Sequence, residues 1–74
     1  MERITLLPDV CGGKPTIRGL RITVQSILEH LAAGDTAQEI LEAYPVLEAE
    51  DIQACLALAA RVLGRELQPV KLNG

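Results

Sequence analysis

The chain has 74 residues, of which 49% are hydrophobic and 23% charged, and its formal net charge is −3. A chain this short forms one small domain that buries only about 60% of the surface its unfolded form exposes, so we expect a partner to add burial. Its net negative charge argues against a general nucleic-acid binder. It has neither the apolar run of about 18 residues that a membrane span needs nor a signal peptide, so we expect a cytoplasmic protein.

The cysteine and histidine content indicates no metal or cofactor site. Cys11 and Cys55 are far apart and outside any paired motif, so we expect free thiols in a reducing compartment. His30 is the only histidine, and neither thiol has an identifiable catalytic base in the sequence. We therefore expect no cofactor, no metal and no enzymatic activity.

The N-terminal part of the chain predicts β-structure and a cationic segment. Residues 4–7 (ITLL) form a short apolar run that Pro8 ends, which predicts an edge strand or an extended arm. The glycine-rich stretch GGKPTIRGLRITV follows at residues 12–24. It concentrates three cations in an otherwise acidic chain: Lys14, Arg18 and Arg21.

The cationic segment predicts a tight hairpin. With Gly19 as the first residue of a two-residue type II′ loop, Ile17 lies opposite Ile22 and Arg18 lies opposite Arg21. The isoleucines then face the core and the arginines face water. Like charges directly opposite each other cost up to about 1 kcal/mol. A phosphate or carboxylate between the two guanidinium groups reverses that cost. The alternative is a solvated arginine pair on a structural hairpin, and spacing does not separate the two.

Two amphipathic helices follow the hairpin. Residues 24–33 repeat apolar side chains at helical spacing, with Thr23 in position to cap the first turn. Residues 36–43 repeat the pattern, and Thr36 with Glu39 has the spacing of a capping box. Two helix-ending residues stand after these segments, Gly34 and Pro45.

The third helix is predicted from about Ala49 to Gly64 and is apolar on nearly every side. Two short helices cannot cover all of it, so we expect a partner or homodimer surface here. The alternative is a central helix hidden within one protomer. We expect a single domain over residues 1–66 and a short flexible tail over residues 67–74. The predicted partner surface includes two residues of this tail. Its candidate residues are Ile52, Cys55, Leu58, Val62, Val70 and Leu72.

Four motifs occur in order: GGKP, IRG-x-RI, AG-x-T-x-x-EI and YP-x-L-x-x-EDI. In this combination the chain, from residue 4 to about 60, resembles the domain-of-unknown-function family 433 (DUF433), small prokaryotic proteins often regarded as antitoxins related to the VapB group. The resemblance implies a mainly α, three-helix, helix-turn-helix-like domain preceded by an N-terminal β-hairpin or extended arm. It also implies an antitoxin that binds a PIN-like ribonuclease toxin, with promoter DNA as a further ligand.

The charge distribution limits how such a protein would bind DNA. The helix that would enter the major groove begins with three carboxylates, at Glu48, Glu50 and Asp51. Any DNA or anion contact must therefore run through the cations near the N-terminus: Arg3, Lys14, Arg18 and Arg21. The alternative function is a small homodimeric protein–protein interaction module that does not bind DNA.

Overall fold

The computed structural model describes residues 3–66, with side chains described as far as Gly64. The predicted class is confirmed: three helices follow two short antiparallel strands. The predicted tail of residues 67–74 lies outside the described residues. In chain order the elements are β1 (Ile4–Thr5), a one-turn 3-10 helix (Cys11–Gly13), β2 (Thr16–Ile17), α1 (Val24–Ala32), α2 (Ala37–Ala43) and α3 (Ala49–Glu66).

Hydroxyl caps start the first two helices, as predicted. The Thr23 hydroxyl accepts a hydrogen bond of 3.0 Å from the backbone N–H of Ser26. At α2 the Thr36 hydroxyl accepts from the Glu39 N–H at 3.1 Å, while the Glu39 carboxylate accepts from the Thr36 N–H at 2.8 Å. This reciprocal pair satisfies two N–H groups that a helix start leaves without intrahelical partners. Gly34, with φ 98°, follows α1 in the left-handed conformation typical of helix ends.

The hydrophobic core lies where the three helices meet, with β2 contributing to it. Ile17 from β2, Ile27 from α1 and Ile40 from α2 are at most 1% exposed. The rest of the core consists of Val24, Leu47, Ile52 and Cys55. Residues from every helix and from the β-structure therefore share one core.

The chain doubles back between β2 and α1 in the predicted register. Thr16 and Thr23 form an antiparallel bridge, and the Ile17 N–H donates to the Ile22 carbonyl at 3.1 Å. Ile17 is fully buried and Ile22 packs against the core. The prediction that the two isoleucines face inward is therefore confirmed.

The turn itself differs from the prediction by one residue. The Leu20 N–H donates to the Ile17 carbonyl at 2.8 Å, so Arg18 and Gly19 are the two central residues. Both have positive φ, 48° and 74°, which is typical of a type I′ turn. The predicted type II′ loop at Gly19 and Leu20 is therefore wrong. Arg18 belongs to the turn and is not a strand residue paired with Arg21.

Helix α3 starts at the predicted residue and extends to Glu66, two residues beyond the predicted end. Three residues of its first half are at most 2% exposed, Asp51, Ile52 and Cys55, whereas residues 60–64 are all exposed. The alternative prediction, that the third helix is hidden within one protomer, is therefore correct only for the buried face of the first half of α3. No helix in residues 3–66 is long and apolar enough to cross a membrane.

Replacing Thr36 with Ala tests the cap of α2. Loss of the capping hydroxyl should lower the free energy of unfolding by about 1 kcal/mol, which for a domain of this size lowers the melting temperature by about 4–8 °C. Thermal unfolding followed by circular dichroism measures the shift. Gln38→Ala, an exposed change in the same helix, is the control, and equal melting temperatures for the two variants would contradict the assignment.

Candidate functional site

The β-structure brings two of the four predicted cations side by side. Strand β1 pairs with β2 so that Ile4 lies opposite Ile17. The same ladder continues one residue further, because the Arg18 N–H donates to the Arg3 carbonyl at 2.9 Å. Arg3 and Arg18 are therefore neighbours across the two strands, and both side chains reach the first turn of α3.

Both guanidinium groups converge on the carboxylate of Asp51, which is completely buried. Arg18 binds it with two nitrogens, Nε to Oδ1 at 3.1 Å and Nη2 to Oδ2 at 3.0 Å. Arg3 adds Nη1 to Oδ1 at 2.9 Å, and the backbone N–H of Glu48 donates to Oδ2 at 2.8 Å. Each carboxylate oxygen thus accepts two hydrogen bonds, which occupies the lone pairs that an ionised carboxylate offers.

Two further contacts join the arginines to the segment before α3. Arg3 Nη1 also donates to Glu48 Oε1 at 2.7 Å, and Arg18 Nη2 donates to the Val46 carbonyl at 2.8 Å. We call Arg3, Arg18, Glu48 and Asp51 the ion cluster. It links three parts of the chain that are distant in sequence: the N-terminal strand, the turn after β2 and the start of α3.

Arginine contacts keep Asp51 ionised in spite of its burial. Burial by itself would raise the pKa of Asp51, but the hydrogen bonds from Arg18, the Glu48 backbone and Arg3 outweigh it and hold that pKa below its usual value. The hydrogen bonds with Glu48 and Asp51 raise the pKa of Arg3, and those with Asp51 raise the pKa of Arg18. Asp51 and its two arginines are therefore charged at neutral pH.

The ion cluster changes the interpretation of the predicted anion site. A second arginine does lie opposite Arg18, as predicted. That arginine is Arg3 and not Arg21. The anion between them is the protein's own Asp51. Arg3 and Arg18 are therefore engaged internally, whereas Lys14 and Arg21 are exposed and form no ion pair with any described side chain.

Asp51 is the site residue that the sequence interpretation missed. The sequence suggested an acidic helix cap there, and Asp51 does accept from the Glu48 N–H as a residue in the first turn can. The available signal was its helical phase. Asp51 precedes Cys55 by four residues and adjoins Ile52, which places it on the buried stripe of α3. A carboxylate on a buried stripe requires a cationic partner.

A second feature is an apolar groove between α1 and α3. Its volume is about 520 Å³, and its exposed lining is almost entirely apolar. Val24 and Leu28 line it from α1, and Leu58, Ala59 and Val62 line it from α3. The other lining residues are Pro15, Gln25, Glu29, Ala32 and Leu63. An apolar groove of this kind suits the apolar face of a partner helix.

The predicted interface residues divide between the core and this groove. The structure removes Ile52 and Cys55 from the predicted surface, because the first is 2% exposed and the second fully buried within the protomer. Leu58 packs partly against the core and also lines the groove, and Val62 is 42% exposed there. Val70 and Leu72 lie outside the described residues.

The remaining polar groups make local contacts. His30 Nδ1 lies 2.7 Å from Asp35 Oδ2, and its Nε2 lies 3.3 Å from the Tyr44 hydroxyl, which ties the end of α1 to the end of α2. Burial raises the pKa of Cys55 to about 11, with Asp51 adding to the effect, so this thiol stays protonated at neutral pH. Among the side chains of residues 3–64, no three of the His, Cys, Asp or Glu type are placed to hold a metal ion.

Comparisons with known proteins identify the family. Residues 4–59 match the family model described as protein of unknown function (DUF433). A protein of Sinorhizobium fredii (strain NBRC 101917 / NGR234), named uncharacterized protein y4eO, is 42% identical over 52 residues, which are 70% of this chain and 24% of that protein. This chain thus spans about a quarter of that relative's length.

A solved structure agrees with this match. The crystal structure of a DUF433 member protein from Anabaena variabilis ATCC 29413 at 2.00 Å resolution superposes with a TM-score of 0.78 at 35% identity. The match covers 81% of this chain and 59% of that one. The chain belongs to the DUF433 family, since the family model spans most of it from β1 into the second half of α3.

Replacing Asp51 with Asn tests the ion cluster. Asparagine keeps the size of the side chain but leaves two arginines without their carboxylate. The free energy of unfolding should fall by about 2–4 kcal/mol, somewhat less than for a fully buried pair because the arginines stay partly solvated. Urea denaturation measures the loss. Glu42→Gln, an exposed carboxylate on α2, should change stability by less than about 0.5 kcal/mol, and equal losses in the two variants would refute the assignment.

Acid titration tests the ionisation of the same group. The pKa of Asp51 is lower in the folded than in the unfolded chain. Its contribution is therefore complete above the unfolded value of about 3.9 and disappears as the pH falls through the lower folded value. The difference in unfolding free energy between the wild type and Asp51→Asn should be constant from pH 7 to about 5 and shrink below about 4. A difference that does not vary down to pH 2 would show that Asp51 is not ionised.

Proposed function

We propose that this DUF433 protein is the antitoxin of a prokaryotic type II toxin–antitoxin pair, acting in the cytoplasm by binding and neutralising a PIN-like ribonuclease toxin. The observation that carries the proposal is the apolar groove between α1 and α3, which is open along the surface. The choice of partner comes from the resemblance of the four sequence motifs to DUF433, whose members are often regarded as antitoxins related to the VapB group. Neither the relative from Sinorhizobium nor the family description assigns an activity.

The groove specifies the chemistry of its occupant. Leu28 on α1 and Val62 on α3 lie on its two walls, so an inserted helix needs apolar side chains at i, i+3 or i+4, and i+7. Glu29 stands in the lining of the α1 wall. A basic side chain on the toxin helix, placed beside its apolar stripe, would pair with Glu29 and set the orientation of the helix.

Two of the four predicted cations remain for a contact with the toxin's active site. A metal-dependent nuclease site is lined by carboxylates, and a neutralising contact there needs a positive side chain. Arg3 and Arg18 are bound to Asp51. Lys14 and Arg21 are the exposed cations of the glycine-rich segment, and we assign this role to them. Arginine is better suited to carboxylates than lysine, because its guanidinium group binds both oxygens at once.

Promoter DNA receives little support from the charge distribution. Helix α3 would enter the groove of DNA through its first turn, where Glu50 is exposed. The cations nearest to that turn, Arg3 and Arg18, are already neutralised by the ion cluster. Of the four predicted cations, Lys14 and Arg21 are then the two that stay available for a DNA contact. The alternative function, a homodimeric interaction module without DNA binding, differs from this proposal in having no toxin partner.

Co-expression with the product of the adjacent gene tests the proposal. The wild type should co-purify with that protein and relieve the growth arrest that it causes. Val62→Glu places a charge in the groove and should abolish both effects, since burying an unpaired carboxylate against apolar side chains is strongly unfavourable. Pull-down yield and colony counts after induction are the measurements.

The matched control is Leu6→Glu, which adds the same charge at a leucine that is 69% exposed and outside the groove. Melting curves confirm that both variants fold. An adjacent product that is not toxic, or is neutralised equally by both variants, would overturn the proposal and favour the interaction module.

A further inference from the structure

A second surface lies on the outward side of α3, opposite its buried stripe. Successive residues of an α-helix are rotated by about 100°, and the middle of this side is formed by five exposed residues: Ala49, Gln53, Ala57, Ala60 and Gly64. Leu56 and Leu63 follow one edge and are 43% and 56% exposed. Single exposed leucines are ordinary, but two in line beside small apolar side chains form a continuous apolar strip.

The other edge of this surface carries two charges of opposite sign. Glu50 lies in the first turn of α3, and Arg61 lies about three turns later at nearly the same rotational position. Both are exposed, and the ion pairs among the described side chains involve other residues. One helix edge therefore offers a negative group near its start and a positive group near its end.

We propose that this outward face of α3 binds a second copy of the same chain, with the two α3 helices antiparallel and a two-fold axis near Leu56 and Ala57. In that arrangement Glu50 of each copy lies beside Arg61 of the other, which gives two ion pairs by symmetry. Leu56 meets Leu56 of the second copy. Such self-complementary contact is the defining property of a two-fold interface.

The two edges exclude the parallel arrangement. Around a two-fold axis perpendicular to the helices, each edge meets the same edge of the other copy, so Leu56 meets Leu56 and the two charged edges face each other. A parallel pair would press the leucine edge of one helix against the charged edge of the other. Antiparallel helices also align their dipoles favourably. The small side chains between the edges permit the helix axes to approach toward the lower end of the usual range of about 8–10 Å.

This dimer leaves the apolar groove between α1 and α3 accessible. The groove uses the α1 side of α3, including Leu58 and Val62, and only Leu63 borders both surfaces. A partner helix and a second copy can therefore bind at the same time. The inference is independent of the proposed function, because it needs no toxin and is tested on the purified chain alone.

Charge exchange between two variants tests the arrangement by sedimentation equilibrium. Glu50→Arg and Arg61→Glu each convert both attractive pairs into repulsive ones, so each alone should dimerise about tenfold more weakly than the wild type. An equimolar mixture should recover wild-type association as a heterodimer, because each new charge then faces its opposite. The recovery should decrease as salt is raised.

Leu56→Glu supplies a second test that does not depend on the charge pair. It places two carboxylates at the two-fold axis and should give a monomer with an unchanged circular dichroism spectrum. Val46→Glu, at a valine that is 52% exposed in the segment before α3, is the control and should remain dimeric. A monomeric wild type at millimolar concentration, a dimeric Leu56→Glu, or a mixture that gains no association would each overturn the proposal.

Discussion

The fold depends on one buried carboxylate and the two arginines that neutralise it. An ionised group removed from water costs several kcal/mol unless charges and hydrogen bonds replace its hydration. Asp51 receives four hydrogen bonds, three of them from guanidinium groups. Because these arginines come from the N-terminal strand and from the turn after β2, the same contacts fix how the β-structure lies against α3.

This constraint explains a turn that local preferences disfavour. Arg18 has a φ of 48°, a backbone conformation that residues other than glycine seldom adopt because of steric strain. In that conformation its guanidinium group reaches both oxygens of Asp51. We interpret the strain at Arg18 as balanced by the bidentate contact. A glycine at this position would relax the backbone but lose the contact.

Sequence reasoning succeeded where the determinants are local. The capping box of α2 involves Thr36 and Glu39, three residues apart, and needs no knowledge of the rest of the fold. The inward orientation of Ile17 and Ile22 likewise follows from register alone. The partner of Arg18 is different. Asp51 lies 33 residues away, and only the packing of β2 against α3 brings the two together. Spacing alone left open whether the arginines bind an anion or face solvent, and it could not show that Arg18 binds an internal carboxylate together with Arg3.

The internal use of two arginines also determines the surface that partners meet. Neutralising Asp51 and Glu48 inside the ion cluster removes Arg3 and Arg18 from the charges available to a ligand. Lys14 and Arg21 then remain as exposed cations near the β-structure, while exposed acids such as Glu39 and Glu42 continue along α2. Helix α3, in contrast, is largely apolar on two sides beyond its buried stripe, at the groove and at the outward face. A small domain buries a smaller fraction of its surface than a large one, so covering such apolar surface by association would add to its stability. These uncovered surfaces support the proposal of a protein partner, and the acids at the start of α3 give less support to nucleic acid.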